Sequence, residues 1–561
     1  MCSYEREVKR LERLADEVNS DELSELTESD NESLADEDHN LVSDHESDTE
    51  QESFSDVEEQ ANLLRRSRCK YFYGKDGTKW SKEAAPLNVR TRQRNIVTHL
   101  PGVLGLAKNG KTPMQCWMYF FEEIVNVIIV NTNLYITKIS NRYQDQYDYK
   151  ETNTTEIMAL LGLLYLVGSQ HGGRKHIAEF YSDDGLGCEI FPAAMAQRRV
   201  KFLLRCLRFD DTNTREVRKS QDNLAAVREM MIKFNEQCKV HYSVGEYVTL
   251  DEMLLAFRGR CRFKMYIPNK PNKYGLKVFS MVDSRTFYTF HLEIYAGTQP
   301  EGPFKIDNST AAVTERICMH LSGSGRNVTM DRWFTGYKIA SLLLREHRLT
   351  VVATIRANRR ELPLEITQVK NRKVNSSLFA FSKDMMAVSY VPKKSKNVLL
   401  ISSMHHDTAI DQSTGEKAKP EVVSFYNMTK GGVDVVDRMI TAYNPARNTR
   451  RWPMVIFYGL MNVVAINAFI IYKANNPDGE FSKSRRMFLK NLGTSLLKEN
   501  MRQRAVNARL PRKVRETAGR LSGLSASEDQ QDPLPINGAT VLVVHGSYYS
   551  LLPRMHREKL I

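Results

Sequence analysis

Residues 245–257 read GEYVTLDEMLLAF. From Tyr247 to Leu254 the residues favour an extended strand, and one aspartate, Asp251, sits inside that apolar run. A carboxylate there needs a partner, because burying an unpaired charge is costly. The stretch also divides the chain. Helical periodicity precedes it, and short β-like runs follow.

Downstream, YVTLDEML (247–254), GLKVFSMVDS (275–284) and TFYTFHLEIYAG (286–297) predict three successive strands. STAAVTERICMHLSG (309–323) predicts a helix, NVTMD (327–331) a strand, TGYKIASLLLREH (335–347) a helix and LTVVATIR (349–356) a strand. Three strands followed by helix–strand alternation predict an α/β unit with a mixed sheet. Residues 366–425 read as β-rich and loop-rich, and helical pattern returns at 431–442 and 453–475. Upstream, 114–133, 155–168, 194–211 and 222–242 predict four helices, preceded by a basic, loop-like stretch over 66–110. Beyond about residue 505 the chain reads as an irregular Arg-rich tail.

Charge is distributed unevenly. Residues 21–60 carry 17 Asp/Glu and no Lys/Arg, so 1–65 is expected to be a disordered acidic tail. Residues 61–561 hold 45 acids and 76 bases, a net charge of about +31. That excess points to a polyanionic partner, most simply nucleic acid. There is no run of 18 apolar residues, so no membrane span is expected. Eight cysteines are scattered without a CxxC pair, which suits a reducing compartment.

Three aspartates stand where structure turns functional. Asp251 lies in the first strand, Asp331 ends NVTMD, and Asp434 follows Gly431-Gly432 at a helix start. Asp437, three residues on, shares the helix face with Asp434. Each has an ordinary reading: an outward strand residue for Asp251, a helix cap for Asp331 and for Asp434. Together they suit a two-metal nuclease, in which hard oxygen ligands hold two Mg²⁺ ions.

The words around them are specific. TLDEMLLAFRGRCRFKMYIPNKPNKYGLKVF (249–279), NVTMDRWFTGYKIASLLL (327–344), YNMTKGGVDVVDRM (426–439) and TRRWPMVIFYGLMNVVAINAFIIY (449–472) resemble the piggyBac family of DNA transposases, as do KWSKEAAPLNVRTRQRNIVTHLPGV (79–103) and TEIMALLGLLYLVG (155–168). The resemblance covers roughly 70–490. It implies an RNase H-like catalytic domain over 243–365, a β-rich insertion over 366–425 and a third-aspartate helix within 426–445. It also implies a helical dimerisation and DNA-binding region split between 66–242 and 446–500, leaving 501–561 as the tail. By position, Asp251, Asp331 and Asp434 are the implied catalytic and metal-binding residues, with Asp437 either a further ligand or its neighbour. The implied cofactor is a pair of Mg²⁺ ions, with Mn²⁺ as a substitute. The implied activity is cut-and-paste transposition: strand cleavage, hairpin formation and strand transfer at TTAA sites. A homodimer acting on double-stranded DNA in the nucleus is expected, with KSRR (483–486) and RLPRKVR (509–515) as candidate import signals. Many members end in a Cys/His-rich zinc module; no cysteine follows Cys318 here, so no zinc is expected. That departure keeps an alternative open, a domesticated, non-catalytic DNA-binding or chromatin protein.

Basic residues near the aspartates suggest a DNA path. Arg258, Arg260, Arg262 and Lys264 alternate, followed by Lys270, Lys273 and Lys277. They read as a phosphate-tracking strip or as a solvated ribbon. Lys430 precedes the Gly-Gly pair, and Arg450 and Arg451 adjoin Trp452. There Trp452 either stacks on a base or packs at a helix start.

Overall fold

The computed structural model describes residues 70–84, 97, 99–143, 149–268, 270 and 272–524. The expectations for the acidic N-terminal tail and for 525–561 lie outside the described residues. The basic segment expected to be loop-like contains a hairpin, β1 (Tyr71–Tyr73) and β2 (Lys79–Ser81). Three-residue strands carry too little alternation to register in the sequence. What holds the hairpin is Trp80, fully buried, whose indole N–H donates to the Glu361 carbonyl at 2.8 Å.

The helical half comprises α1 (Pro113–Ile139), α2 (Thr154–Ser169), α3 (Gln197–Cys206) and α4 (Arg228–His241). Thr112 and Gln115 form a capping box at the start of α1, with Pro113 in the first turn. α3 and α4 are shorter than their patterns predict. Asp222, for example, accepts from the Leu224 amide and the Arg228 guanidinium, which favours a turn over helix there.

The strands are β3 (Tyr247–Ala256), β4 (Lys264–Tyr266), β5 (Tyr274–Asp283) and β6 (Thr289–Ile294). After α5 (Thr310–Cys318) comes β7 (Asn327–Met330); after α6 (Tyr337–Arg345) comes β8 (Thr350–Thr354). β5 pairs antiparallel with β3 and with β6, whereas β7 runs parallel to both β3 and β8. Strands β3, β5, β6, β7 and β8, taken as first to fifth, therefore lie in the spatial order third, second, first, fourth, fifth.

Residues 366–425 do not stand apart from this sheet. They supply β9 (Ser377–Phe381), β10 (Met386–Lys393) and β11 (Lys396–Ser402), and β11 pairs antiparallel with β8. β2 then joins β9 at Phe381–Ser81, completing an 11-stranded sheet. A small apolar cluster of Val352, Val388, Leu400, Val422 and Phe425 packs α7 (Glu421–Thr429) on this extension. α8 (Gly432–Ala442) follows and buries Val433, Val436, Met439 and Ile440.

Among the described residues one helix, α9 (Trp452–Asn475), has the length and composition to cross a membrane. It is instead a core helix: 83% of its most apolar window is buried. The side-chain amide of its Asn467 pairs with both the N–H and the C=O of Thr289, each at 2.9 Å, and so ties the helix to β6.

The segment expected to be an irregular tail is helical as far as Ser522. It contains the end of α10 (Arg485–Ala505) and all of α11 (Arg512–Ser522). The basic residues of α10 masked a narrow apolar stripe, Phe488, Leu489, Leu492, Leu496 and Met501, buried against α2 and its neighbours. The α2–α10 crossing is close because a β-carbon on Gly162 would lie 2.7 Å from the Gly493 carbonyl oxygen.

Candidate active site

Leu250 of β3 and Met330 of β7 are the last partners in a parallel ladder, so Asp251, midway along β3, and Asp331, just past the carboxyl end of β7, follow side by side. Strand ends of this kind are where open α/β sheets place ligands. Asp331 is fixed by its own turn. Its Oδ1 accepts from the Trp333 amide at 2.8 Å, and its carbonyl accepts from the Thr335 hydroxyl at 2.6 Å. Trp333 stacks on Phe279, with ring centroids 5.3 Å apart, which anchors that turn on the sheet.

The third acid arrives on α8. Gly431 is the N-cap and no side chain caps the helix, so Asp434 does not serve as its cap. It lies in the first turn, exposed, where the helix dipole favours its charge. Of the two glycines, only Gly432 is needed for space: a β-carbon there would overlap the Thr249 hydroxyl, while one at Gly431 would meet nothing. Asp437 is one turn further on and half-buried.

Asp251, Asp331 and Asp434 line one polar cleft together with Tyr426 and Lys430. Burial, then the neighbouring Asp331 charge, pushes the Asp251 carboxyl up to about 7. Burial also raises Asp331, and it raises Asp437 against the opposing pull of Lys270. Lys270 Nζ stands 3.5 Å from Asp434 Oδ1. Burial works against its charge, but Asp434, Asp251, Asp437 and Glu252 outweigh that and raise its pKa. Burial pushes the Tyr426 phenol up to about 12. Among the described residues, no three acidic, histidine or cysteine side chains converge tightly enough to hold a metal ion as they stand. The acids face a shared cleft whose negative charge is met by a lysine.

The basic residues separate into two groups. Arg258, Arg260 and Arg262 are exposed in the irregular connection between β3 and β4. That connection lies against Arg450, also exposed, since a β-carbon on Gly259 would be 3.1 Å from the Arg450 carbonyl oxygen. Lys264 lies in β4, while Lys273 and Lys430 are exposed. The expected strip does not extend to Lys277, which is buried on β5 with its ammonium 2.7 Å from Glu252 and above the Trp333 ring. Its position in a central strand buries it. Arg451 is likewise internal: it donates to the Arg205 carbonyl at 3.1 Å and to the Leu204 and Leu207 carbonyls, satisfying the end of α3. Trp452 packs edge-on against Phe263 at 5.1 Å in the first turn of α9, which is the helix-start reading.

The sequence reading missed Tyr426 and the threonines Thr249, Thr329 and Thr429. The first two threonines carried one signal: each lies two residues before an aspartate, hence on the same face of its strand.

The family model described as Transposase IS4 matches residues 112–469. Human PiggyBac transposable element-derived protein 2 is 21% identical over 398 residues, covering 68% of this chain and 64% of the relative. Human PiggyBac transposable element-derived protein 3 is 22% identical over 380 residues, covering 65% and 61%. The match thus spans less than two thirds of the length of either relative. Among solved structures, a piggyBac transposase synaptic complex with hairpin DNA is similar at a TM-score of 0.70 and 36% identity, covering 75% of this chain and 88% of that one. A family model matched over more than half of the chain, joined to that likeness of fold and sequence, makes this chain a member of the piggyBac-type transposase family.

Proposed function

We propose that the chain is a metal-dependent DNA transposase, cleaving element ends, forming hairpins and joining them at TTAA targets. The observation that carries this reading is that Asp251 and Asp331, each following the last pair of the β3–β7 ladder, line one cleft with Asp434. The third–second–first–fourth–fifth strand order supports an RNase H-like sheet, with Asp251 on its first strand and Asp331 after its fourth. Each step is attack of an oxygen on phosphorus. Water attacks at the element end, the freed 3′-OH attacks the flanking strand, and the reopened end attacks the target.

The donor set fits Mg²⁺. It offers hard carboxylate oxygens, and a cation would offset both the burial and the Asp331 repulsion that raise Asp251. Asp251, Asp331 and Asp434 would hold it, with Asp437 beside them. When bound, the metal supplies Lewis-acid activation of the attacking oxygen and stabilisation of the leaving one. The protein's own groups bind and orient. Lys270 and Lys430 meet the phosphates at the cleft, and Arg258, Arg260, Arg262 and Arg450 extend that contact along double-stranded DNA. Binding of hairpin DNA by the similar transposase supports this partner.

A homodimer and a nuclear site belong to the same proposal. KSRR (483–486) and RLPRKVR (509–515) remain its import candidates; Arg485 and Arg486 of the first donate to the Met439 and Ser169 carbonyls. A second reading, a non-catalytic DNA-binding protein, is favoured by the human relatives, whose names describe element-derived proteins. A TTAA-flanked duplex with Mg²⁺ separates the two. Wild type should yield nicked, hairpin and joined products, and Asp251→Ala should fall to background. Equal product from both would sink the enzyme reading.

A further inference from the structure

Thr249 and Thr329 are partners across the β3–β7 ladder, each two residues before its strand's aspartate. Both hydroxyls reach one residue on a third element. Thr249 Oγ1 donates to the Thr429 carbonyl at 2.7 Å, and Thr329 Oγ1 lies 2.8 Å from Thr429 Oγ1. Thr429 Oγ1 in turn lies 2.9 Å from the Phe425 carbonyl, and Ser284 Oγ lies 2.9 Å from Thr249 Oγ1. Each hydroxyl has a single proton to give, and one assignment satisfies all four: Ser284 to Thr249, Thr249 to the Thr429 carbonyl, Thr329 to Thr429, and Thr429 to Phe425. All four residues are buried.

We infer that this hydroxyl brace sets the reach of Asp434 to Asp251 and Asp331, which makes Thr249, Thr329 and Thr429 positioning residues. The inference rests on the aspartates being the reactive acids. Thr429 ends α7, and Asp434 lies in the first turn of α8, five residues on. Fixing Thr429 to both aspartate strands therefore fixes the elbow that delivers the third acid. Gly432 completes the fit, because only a residue without a β-carbon lets α8 settle on the Thr249 hydroxyl. Valine would fill the same volume and suits a strand equally well. Two adjacent strands nevertheless carry threonine there, and both hydroxyls serve the same residue of the elbow. Displacements of about 1 Å at such a site cost on the order of a hundredfold in rate.

The test uses the full chain, Mn²⁺ alone as the metal probe and single-turnover cleavage of a TTAA-flanked duplex. Thr249→Val and Thr329→Val should each weaken Mn²⁺ binding, read from the free-ion electron paramagnetic resonance signal. Each should also slow cleavage about ten- to a hundredfold with DNA affinity unchanged. Thr249→Ser and Thr329→Ser should restore both. Thr132→Val, which removes a buried hydroxyl on α1 that accepts from the Arg208 amide, should lower the melting temperature without either effect. If the valine variants fold poorly, Gly432→Ala decides, because its β-carbon would overlap the Thr249 hydroxyl and push α8 off β3 while the chain keeps every hydroxyl of the brace. Valine variants, or Gly432→Ala, that match Thr132→Val in Mn²⁺ affinity and rate would overturn the brace. If Asp434→Ala also leaves both unchanged, the assignment of the aspartates fails instead.

Discussion

Asp251 and Asp434 differ in how the fold treats their charge. Asp251 is enclosed by strand and neighbours, whereas Asp434 stands exposed at a helix start beside Lys270. In the metal-free protein the Asp251 carboxyl titrates near 7, and in the unfolded chain at about 3.9. Between those values the folded state holds the extra proton. Its contribution to stability is therefore complete below about pH 4 and is lost as pH rises through about 7. Melting in EDTA should fall by several degrees between pH 5 and 8 in the wild type and by less in Asp251→Asn. Identical pH profiles would show that Asp251 is not the titrating group. The type and spacing of these acids were legible in the sequence, but their inequality was not. Burial of Asp251 comes from elements far along the chain, and the counter-charge of Lys270 depends on a fold-back of 164 residues.

At the scale of elements, β3 and β5 were readable because each spans ten residues, enough to show its pattern. The β1–β2 hairpin, the end of α10 past residue 500 and α11 were not, since their stability comes from partners rather than from local periodicity. Lys277 illustrates the same limit. Spacing grouped it with the arginines that precede it, but the β3–β5 register brings it to Glu252. Removing one member of a buried ion pair costs roughly 3–5 kcal/mol, and less where one partner is partly exposed, as Glu252 is here. Lys277→Met should thus destabilise the protein by about 2 kcal/mol in urea unfolding, and adding Glu252→Met should recover most of that. Its DNA affinity should keep the wild-type salt dependence, whereas Arg258→Ala should reduce the salt slope by about 1. A reduced slope for Lys277→Met would return that lysine to the DNA path.

For the whole molecule, alternating helix and strand announced an α/β layout, but no local pattern could tell that 366–425 would extend the same sheet. That depends on pairing β8 with β11 and β9 with β2, the latter a contact between Ser81 and Phe381. The result is one continuous apolar core running from α1 and α2 through β3, β5 and β7 to α9 and α10. A chain of this length would ordinarily divide into separately melting domains. A shared core argues otherwise: damage in the helical half should be felt in the sheet. Gly162 offers the lever, because a side chain there meets the Gly493 carbonyl and forces α2 from α10. Gly162→Val should cost about 1–3 kcal/mol by overpacking and lower the melting temperature by roughly 2–4 °C for each of them. The shift should register equally in far-ultraviolet dichroism and in the fluorescence of Trp333, which packs on the sheet against Phe279. That fluorescence is isolated by replacing Trp80, Trp117 and Trp452 with phenylalanine in both the reference protein and the variant. Two transitions, with only the helical signal moved by Gly162→Val, would mean that the sheet folds independently of α2 and α10.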